Sequence, residues 1–304
     1  MVATVTALAA ALVLAAPAAG GCPRDGIAVQ VLGSGGPTGE DGRASSGYLL
    51  WIDGRARVLV DAGGGTFQRF AASGARVEDL EAIALTHLHV DHTSDLPALM
   101  KAAWFGDRER PLALFGPAGG PDFPATSAFV HALFDPDEGA FGYLGGYLDD
   151  EEDAKPFALS VADIPVSRGE PMTAYDDEKI RLETVAVPHG EVPALAWRVE
   201  IGDRSVVFMG DQRADQQRFF DLTRGTDLLV AHAAIPSEAG KSARALHATP
   251  TALSKLVQAT HPGKVVLSHW MGRSLHQQRP IRAIVAKGYD GEVVLAEDGL
   301  CVGL

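Results

Sequence analysis

Thr86-His87-Leu88-His89-Val90-Asp91-His92 decides how this chain is read: three histidines and an aspartate fall within six positions, at the end of the apolar run Ala82–Thr86. Histidine supplies 10 of the 304 residues, so such a pattern is expected by chance in fewer than about one chain in a thousand. A lone buried histidine is usually a satisfied core residue. Three of them with a carboxylate, at a strand-to-helix turn, are poorly explained by packing. Imidazoles and a carboxylate converging on one point suit Zn²⁺ or a similar borderline cation.

Working outward, further donors close other apolar runs: Asp61 in Val60-Asp61-Ala62-Gly63, His189 in Val187-Pro188-His189-Gly190, Asp211 in Met209-Gly210-Asp211 and His269 in Val266-Leu267-Ser268-His269. Strands are expected at Ile27–Leu32, Tyr48–Ile52, Arg57–Val60, Ala82–Thr86 and Leu112–Phe115 in the first half. The second half adds Arg181–Val187, Ala194–Ile201, Ser205–Met209, Asp227–Val230, Lys264–Leu267 and Glu292–Leu295. Helical stretches separate them, among them Thr66–Ser73, Asp95–Ala103, Arg213–Leu222, Pro250–Thr260 and Pro280–Ala286. Strands and helices mixed through two similar halves imply two sheets packed face to face with helices outside.

With these motifs in order, the chain resembles the metallo-β-lactamase-fold hydrolases, over nearly all of residues 27–304. Its detailed resemblance is to their ribonuclease Z-like branch. Val31-Leu32-Gly33-Ser34-Gly35-Gly36-Pro37, Arg43-Ala44-Ser45-Ser46-Gly47 and Leu246-His247-Ala248-Thr249 carry that likeness. The resemblance implies an α/β fold, a four-layer αββα sandwich. It also implies two Zn²⁺ per chain, with Mn²⁺ or Fe²⁺ as substitutes. One would be held by His87, His89 and His189, the other by Asp91, His92 and His269, with Asp211 between them and Asp61 supporting the metal loop. It makes the chain a hydrolase that attacks with metal-bound hydroxide, oriented by Asp91, while His247 protonates the leaving group.

The chain also departs from that branch. Where ribonuclease Z enzymes place His-Glu-Ala, it has Ala231-His232-Ala233, so the carboxylate supporting the acid is absent. His232 either substitutes for it or merely fills the position. Ser34, among glycines, is a candidate for approaching a substrate phosphate or carboxylate through backbone N–H groups. No long basic arm is evident. The formal net charge is −13, and Asp135 to Asp153 holds eight acidic residues and neither Lys nor Arg. That charge repels a long polyanion, so no nucleic-acid partner is expected.

A small ester-type substrate follows, a phosphodiester first, then a carboxylic ester or lactone, then a β-lactam. The alternatives are a ribonuclease Z-type endoribonuclease and a non-catalytic, metal-stabilised exported binding protein. The acidic segment reads as a solvated insertion in preference to a substrate lid. Nothing fixes the oligomeric state; a homodimer is one option.

Residues Met1 to Cys22 carry no charge, and the apolar run Val2–Ala16 is broken by Pro17, Gly20 and Gly21. That is the shape of a secretory signal peptide, with Ala16-Pro17-Ala18 as its cleavage site and residues 23–304 as the exported domain, periplasmic or secreted. Cytoplasmic residence is the alternative if the N-terminus is no signal. Cys22 and Cys301 are the only cysteines. A disulfide between them is favoured, ahead of a lipid anchor at Cys22 (an outer-membrane lipoprotein) and of two free thiols.

Overall fold

The computed structural model describes residues 22–39, 41–148, 157–167 and 169–304; the signal-like segment before Cys22 and the acidic run Asp149–Asp153 lie outside the described residues. The strands of the first half are β1 (Ile27–Gly33), β2 (Gly47–Ile52), β3 (Arg55–Val60), β4 (Ala82–Ala84), β5 (Leu112–Pro117) and β6 (Leu159–Ile164). The second half supplies β7 (Met172–Asp176), β8 (Arg181–His189), β9 (Val192–Ile201), β10 (Arg204–Phe208), β11 (Leu228–His232), β12 (Lys264–Ser268) and β13 (Glu292–Leu295), and β14 (Cys301–Gly303) ends the chain. They form two sheets, ordered β14-β1-β2-β3-β4-β5-β6 and β13-β12-β11-β10-β9-β8-β7.

Side-chain alternation along each strand builds the layers. Tyr48 and Leu50 of β2, Val58 and Val60 of β3, Val206 and Phe208 of β10, and Leu228 and Val230 of β11 meet in one core between the sheets. Their neighbours Leu49, Trp51 and Leu59 face the other way, packing with Leu96, Leu99 and Met100 of helix Leu96–Ala103 and with Val130 and Phe134 of helix Thr126–Phe134. On the far side, Val207, Leu229, Val265 and Leu267 pack with Leu253, Leu256 and Val257 of helix Pro250–Thr260 and with Ile281 of helix Gln278–Val285. This is the four-layer αββα sandwich. Both faces of each sheet are covered, which is why the central strands read as continuous apolar runs.

The strands absent from the expectation are β6, β7 and β14, and each lies at a sheet edge. Edge strands bury less, and their sequences (Leu-Ser-Val-Ala-Asp-Ile for β6, Met-Thr-Ala-Tyr-Asp for β7) dilute the apolar signal. The helix expected at Arg213–Leu222 begins only at Gln217. Ala214 has φ of 55°, a left-handed conformation that keeps the chain after Asp211 in a loop.

One expectation is corrected. The acidic insertion is not merely a solvated loop: Leu144 and Tyr147 are fully buried, and Tyr147 donates its hydroxyl to the Met100 carbonyl at 2.6 Å. Asp137, Glu138 and Tyr143 stay exposed while Leu144 and Tyr147 plug the outer core. The disulfide favoured between Cys22 and Cys301 is present. The Cα atoms are 5.4 Å apart across 279 residues of sequence, beside the β1–β14 pairing that places Gln30 opposite Cys301.

Strands β3 to β6 run parallel, as do β10 to β13. Their carboxyl ends therefore open on common edges, where α/β folds place their ligands. Asp61 follows β3, His87 follows β4 after a short link, Asp211 follows β10, and His269 follows β12.

Candidate metal centre

The loop after β4 is organised by Asp61. This carboxylate has no solvent exposure and sits at φ 60°, an uncommon conformation for a side-chain-bearing residue and one that accumulates at functional sites. Its Oδ1 accepts the Thr86 amide at 2.7 Å, and Oδ2 accepts the Thr86 hydroxyl at 2.9 Å while facing His92 Nδ1 at 2.7 Å. The bond orients the imidazole so that Nε2 points toward the other donors. Close approach of backbone completes the support: a Cβ on Gly63 would lie 2.0 Å from the Asp91 carbonyl, so only glycine fits there.

His87, His89 and His189 bring one ligand nitrogen each to within 4.8 Å of one another, and Asp91, His92 and His269 do the same with two nitrogens and an oxygen. Asp211 joins them: Oδ2 lies 3.8 Å from His189 Nε2 and 3.9 Å from His92 Nε2, and Oδ1 lies 3.5 Å from His269 Nε2. Nitrogens meet face to face, His87 Nε2 with His89 Nδ1 at 3.1 Å and His92 Nε2 with His269 Nε2 at 3.2 Å. His189 donates Nδ1–H to the Leu246 carbonyl at 2.9 Å, which leaves its buried Nε2 lone pair without a partner among the described residues. Converging lone pairs and carboxylates are what divalent cations require.

The charge balance agrees. Burial would raise Asp91, but a hydrogen bond from His269 and the charge of His92 bring it down to about 2; Asp211 is likewise held well below the carboxylate range by His269, His232 and His247, against the effect of burial. Burial keeps His87 and His89 below the usual imidazole range, and hence neutral as ligation demands. Burial would lower His92 too, yet the Asp61 carboxylate outweighs it and pushes His92 up to about 9, so a cation binding at Nε2 displaces a proton there. This carboxylate-rich pocket attracts positive charge.

His247 lies at the same opening, Nδ1 3.6 Å from Asp211 Oδ2 and its ring 5.4 Å from that of His189. His232 is elsewhere. It is buried beneath Asp211 with no bond to His247, Nδ1 set 2.7 Å from Asp211 Oδ1, and its ring is stacked on His269 at 4.6 Å. Ser34 is also corrected. Its amide and hydroxyl both go to Asp298 Oδ1, at 2.8 and 2.7 Å, and neither remains for a ligand. The glycine turn instead clamps His269, itself at φ 58°. Trp270 N–H bonds the Ser34 carbonyl, Gly36 N–H bonds the Trp270 carbonyl, and a Cβ on Gly36 would lie 2.8 Å from the His269 ring.

Tyr48, Thr86, Ser268 and Asp298 support the site without having stood out in the sequence. Thr86 and Ser268 carried a signal only as neighbours of histidines, in the stretches Thr86–His92 and Val266–His269.

Comparison with known proteins agrees with this architecture. The family model of the Metallo-beta-lactamase superfamily matches residues 41–253. A ribonuclease Z from Mycobacterium sp. (strain KMS) is 29% identical over 297 residues, covering 91% of this chain and 98% of that protein. The human short-form tRNase Z superposes with a TM-score of 0.71 at 20% identity, covering 91% of this chain and 98% of that one. A diphosphatase of the PhnP family superposes at 0.62 and 17% identity, covering 91% and 98%. The match spans most of the chain, and the histidine–aspartate centre lies where the two sheets open: the chain belongs to the metallo-β-lactamase superfamily of hydrolases.

Proposed function

We propose that this hydrolase cleaves small phosphodiesters with two divalent cations, Zn²⁺ first among them. The observation that carries the reading is the pair of three-donor sets, His87/His89/His189 and Asp91/His92/His269, joined by Asp211. Two bound cations would polarise the phosphoryl oxygen and make water a nucleophile near neutral pH. A small diester brings one negative charge, which such a site readily offsets, whereas a chain of net charge −13 repels a long polyanion. The PhnP-family diphosphatase among the structural neighbours is in keeping with phosphoester chemistry. The Cys22–Cys301 disulfide favours an oxidising compartment.

Asp91, ionised and 7% exposed, is placed to accept a proton from the attacking water and to fix its direction. His247 hands a proton to the leaving oxygen. Burial pushes its imidazole down to about 4, so this role depends on the negative charge that a bound diester brings beside it. In His247→Ala, turnover should fall about a hundredfold for alkyl leaving groups and only a few-fold for p-nitrophenolate, which needs no proton. Equal losses across a leaving-group series would remove the acid role.

The deciding experiment pairs metal analysis by mass spectrometry with hydrolysis of bis(p-nitrophenyl) phosphate, a p-nitrophenyl ester and a chromogenic β-lactam. Two cations per chain are expected, with diester turnover that falls to background on chelation and returns with Zn²⁺. Preference for the ester or the lactam would overturn the phosphodiester assignment, and turnover indifferent to chelation would overturn the cation assignment. A second reading, endonucleolytic cleavage of RNA, is favoured by the whole-length similarity to ribonuclease Z. Cleavage of a tRNA precursor faster than the small diester would establish it.

A further inference from the structure

We propose that His232 is a positioning residue for Asp211, fixed by a buried hydrogen-bonded relay that runs Ser268–Tyr48–His232–Asp211 into the metal centre. The inference rests on the two-cation reading and deepens it. Tyr48 Oη lies 2.9 Å from Ser268 Oγ and 3.0 Å from His232 Nε2, and His232 Nδ1 lies 2.7 Å from Asp211 Oδ1. None of the four residues is more than 3% exposed.

The proton beside the metal centre follows from the acceptor there. A carboxylate can only accept, so His232 Nδ1 carries the hydrogen, and Nε2 on the far side of the ring meets the Tyr48 hydroxyl. The same Tyr48 oxygen meets Ser268 Oγ, so one hydroxyl bridges the imidazole and the serine. The nitrogen facing Asp211 therefore bears a proton and cannot ligate, although it lies among the donors within 4.8 Å of one another at Asp211 and His269. The relay ties Asp211 Oδ1 to the second sheet and turns Oδ2 toward His189 and His92. It also spans the two sheets, since Tyr48 belongs to β2 and His232 and Ser268 to β11 and β12. Outer partners of this kind hold ligand carboxylates in register and typically matter by 10–100-fold in metal affinity. The departure Ala231-His232-Ala233 thus has a use: the imidazole supports the ligand, with no bond to the acid candidate His247.

The test is Zn²⁺ affinity by calorimetry and the Co²⁺ electronic spectrum, in wild type, His232→Ala, His232→Asn and Tyr48→Phe. Asparagine can set its amide near the position of Nδ1 and so restores the bond to Asp211. Tyr48→Phe keeps the packing and removes only the relay's bridging hydroxyl. We expect affinity to fall about 10–100-fold in His232→Ala with a shifted Co²⁺ spectrum, to recover to within a few-fold in His232→Asn, and to fall several-fold in Tyr48→Phe. Variants that bind within twofold of wild type would overturn the relay, as would an asparagine variant no better than alanine, which would make the role one of packing. A wild type that binds no metal is a separate result and overturns the two-cation reading instead.

Discussion

Asp91→Ala should lower turnover of bis(p-nitrophenyl) phosphate about a thousandfold or more. The magnitude combines the loss of a proton acceptor, commonly worth 10²- to 10⁴-fold, with the loss of a donor from one of two three-donor sets. Asp91 Oδ2 lies 3.3 Å from His269 Nε2 and 3.6 Å from His92 Nε2, so its removal leaves that set with two imidazoles only. The other set keeps His87, His89 and His189 intact, and metal analysis should therefore find the stoichiometry reduced but not abolished. Asp91→Asn separates the effects: it keeps the shape and one oxygen but cannot take a proton. Its kcat should track the alanine variant more closely than its metal content does. Turnover within tenfold of wild type in both variants would remove Asp91 from the reaction.

Asp61→Ala is the second large effect, and it should be read in stability as much as in activity. The carboxylate is fully buried and serves four donors, the Thr86 amide and hydroxyl, the His92 ring and, at 3.4 Å, the Ser46 hydroxyl. Alanine would leave them unpaired inside a dry core, and removing one partner of such a buried charged network costs about 3–5 kcal/mol. Urea unfolding of metal-free protein measures this without reference to turnover. His92 would also lose the bond that sets its tautomer, and metal affinity should fall about 10–100-fold alongside. A stability loss under 1 kcal/mol would show that the loop after β4 is held mainly by other contacts.

The converging donor groups and the sandwich were legible because both leave local marks. Histidines and aspartates fall at the ends of apolar runs, and those runs are continuous because each sheet is covered twice. Edge strands β6, β7 and β14 left little mark, since their side chains are only partly buried and their pairing is with one neighbour. The supporting layer was harder still. Tyr48 sits in an ordinary apolar strand, and its hydroxyl meets His232 across 184 positions of sequence; Ser34 and Asp298 are 264 apart. No local pattern encodes such pairings. The glycine-rich turn misled for the same reason: its shape suits an anion, but the distant Asp298 carboxylate already takes its amide and hydroxyl.

The link between Cys22 and Cys301 makes nearly the whole folded chain a covalent ring. The first half of that ring carries Asp61, His87, His89, Asp91 and His92, and the second carries His189, Asp211 and His269, so each half holds an incomplete set. One break in the backbone between the halves would open the ring without dividing it. The complementary donor sets would stay tethered at high effective concentration, and reassembly would remain an intramolecular event.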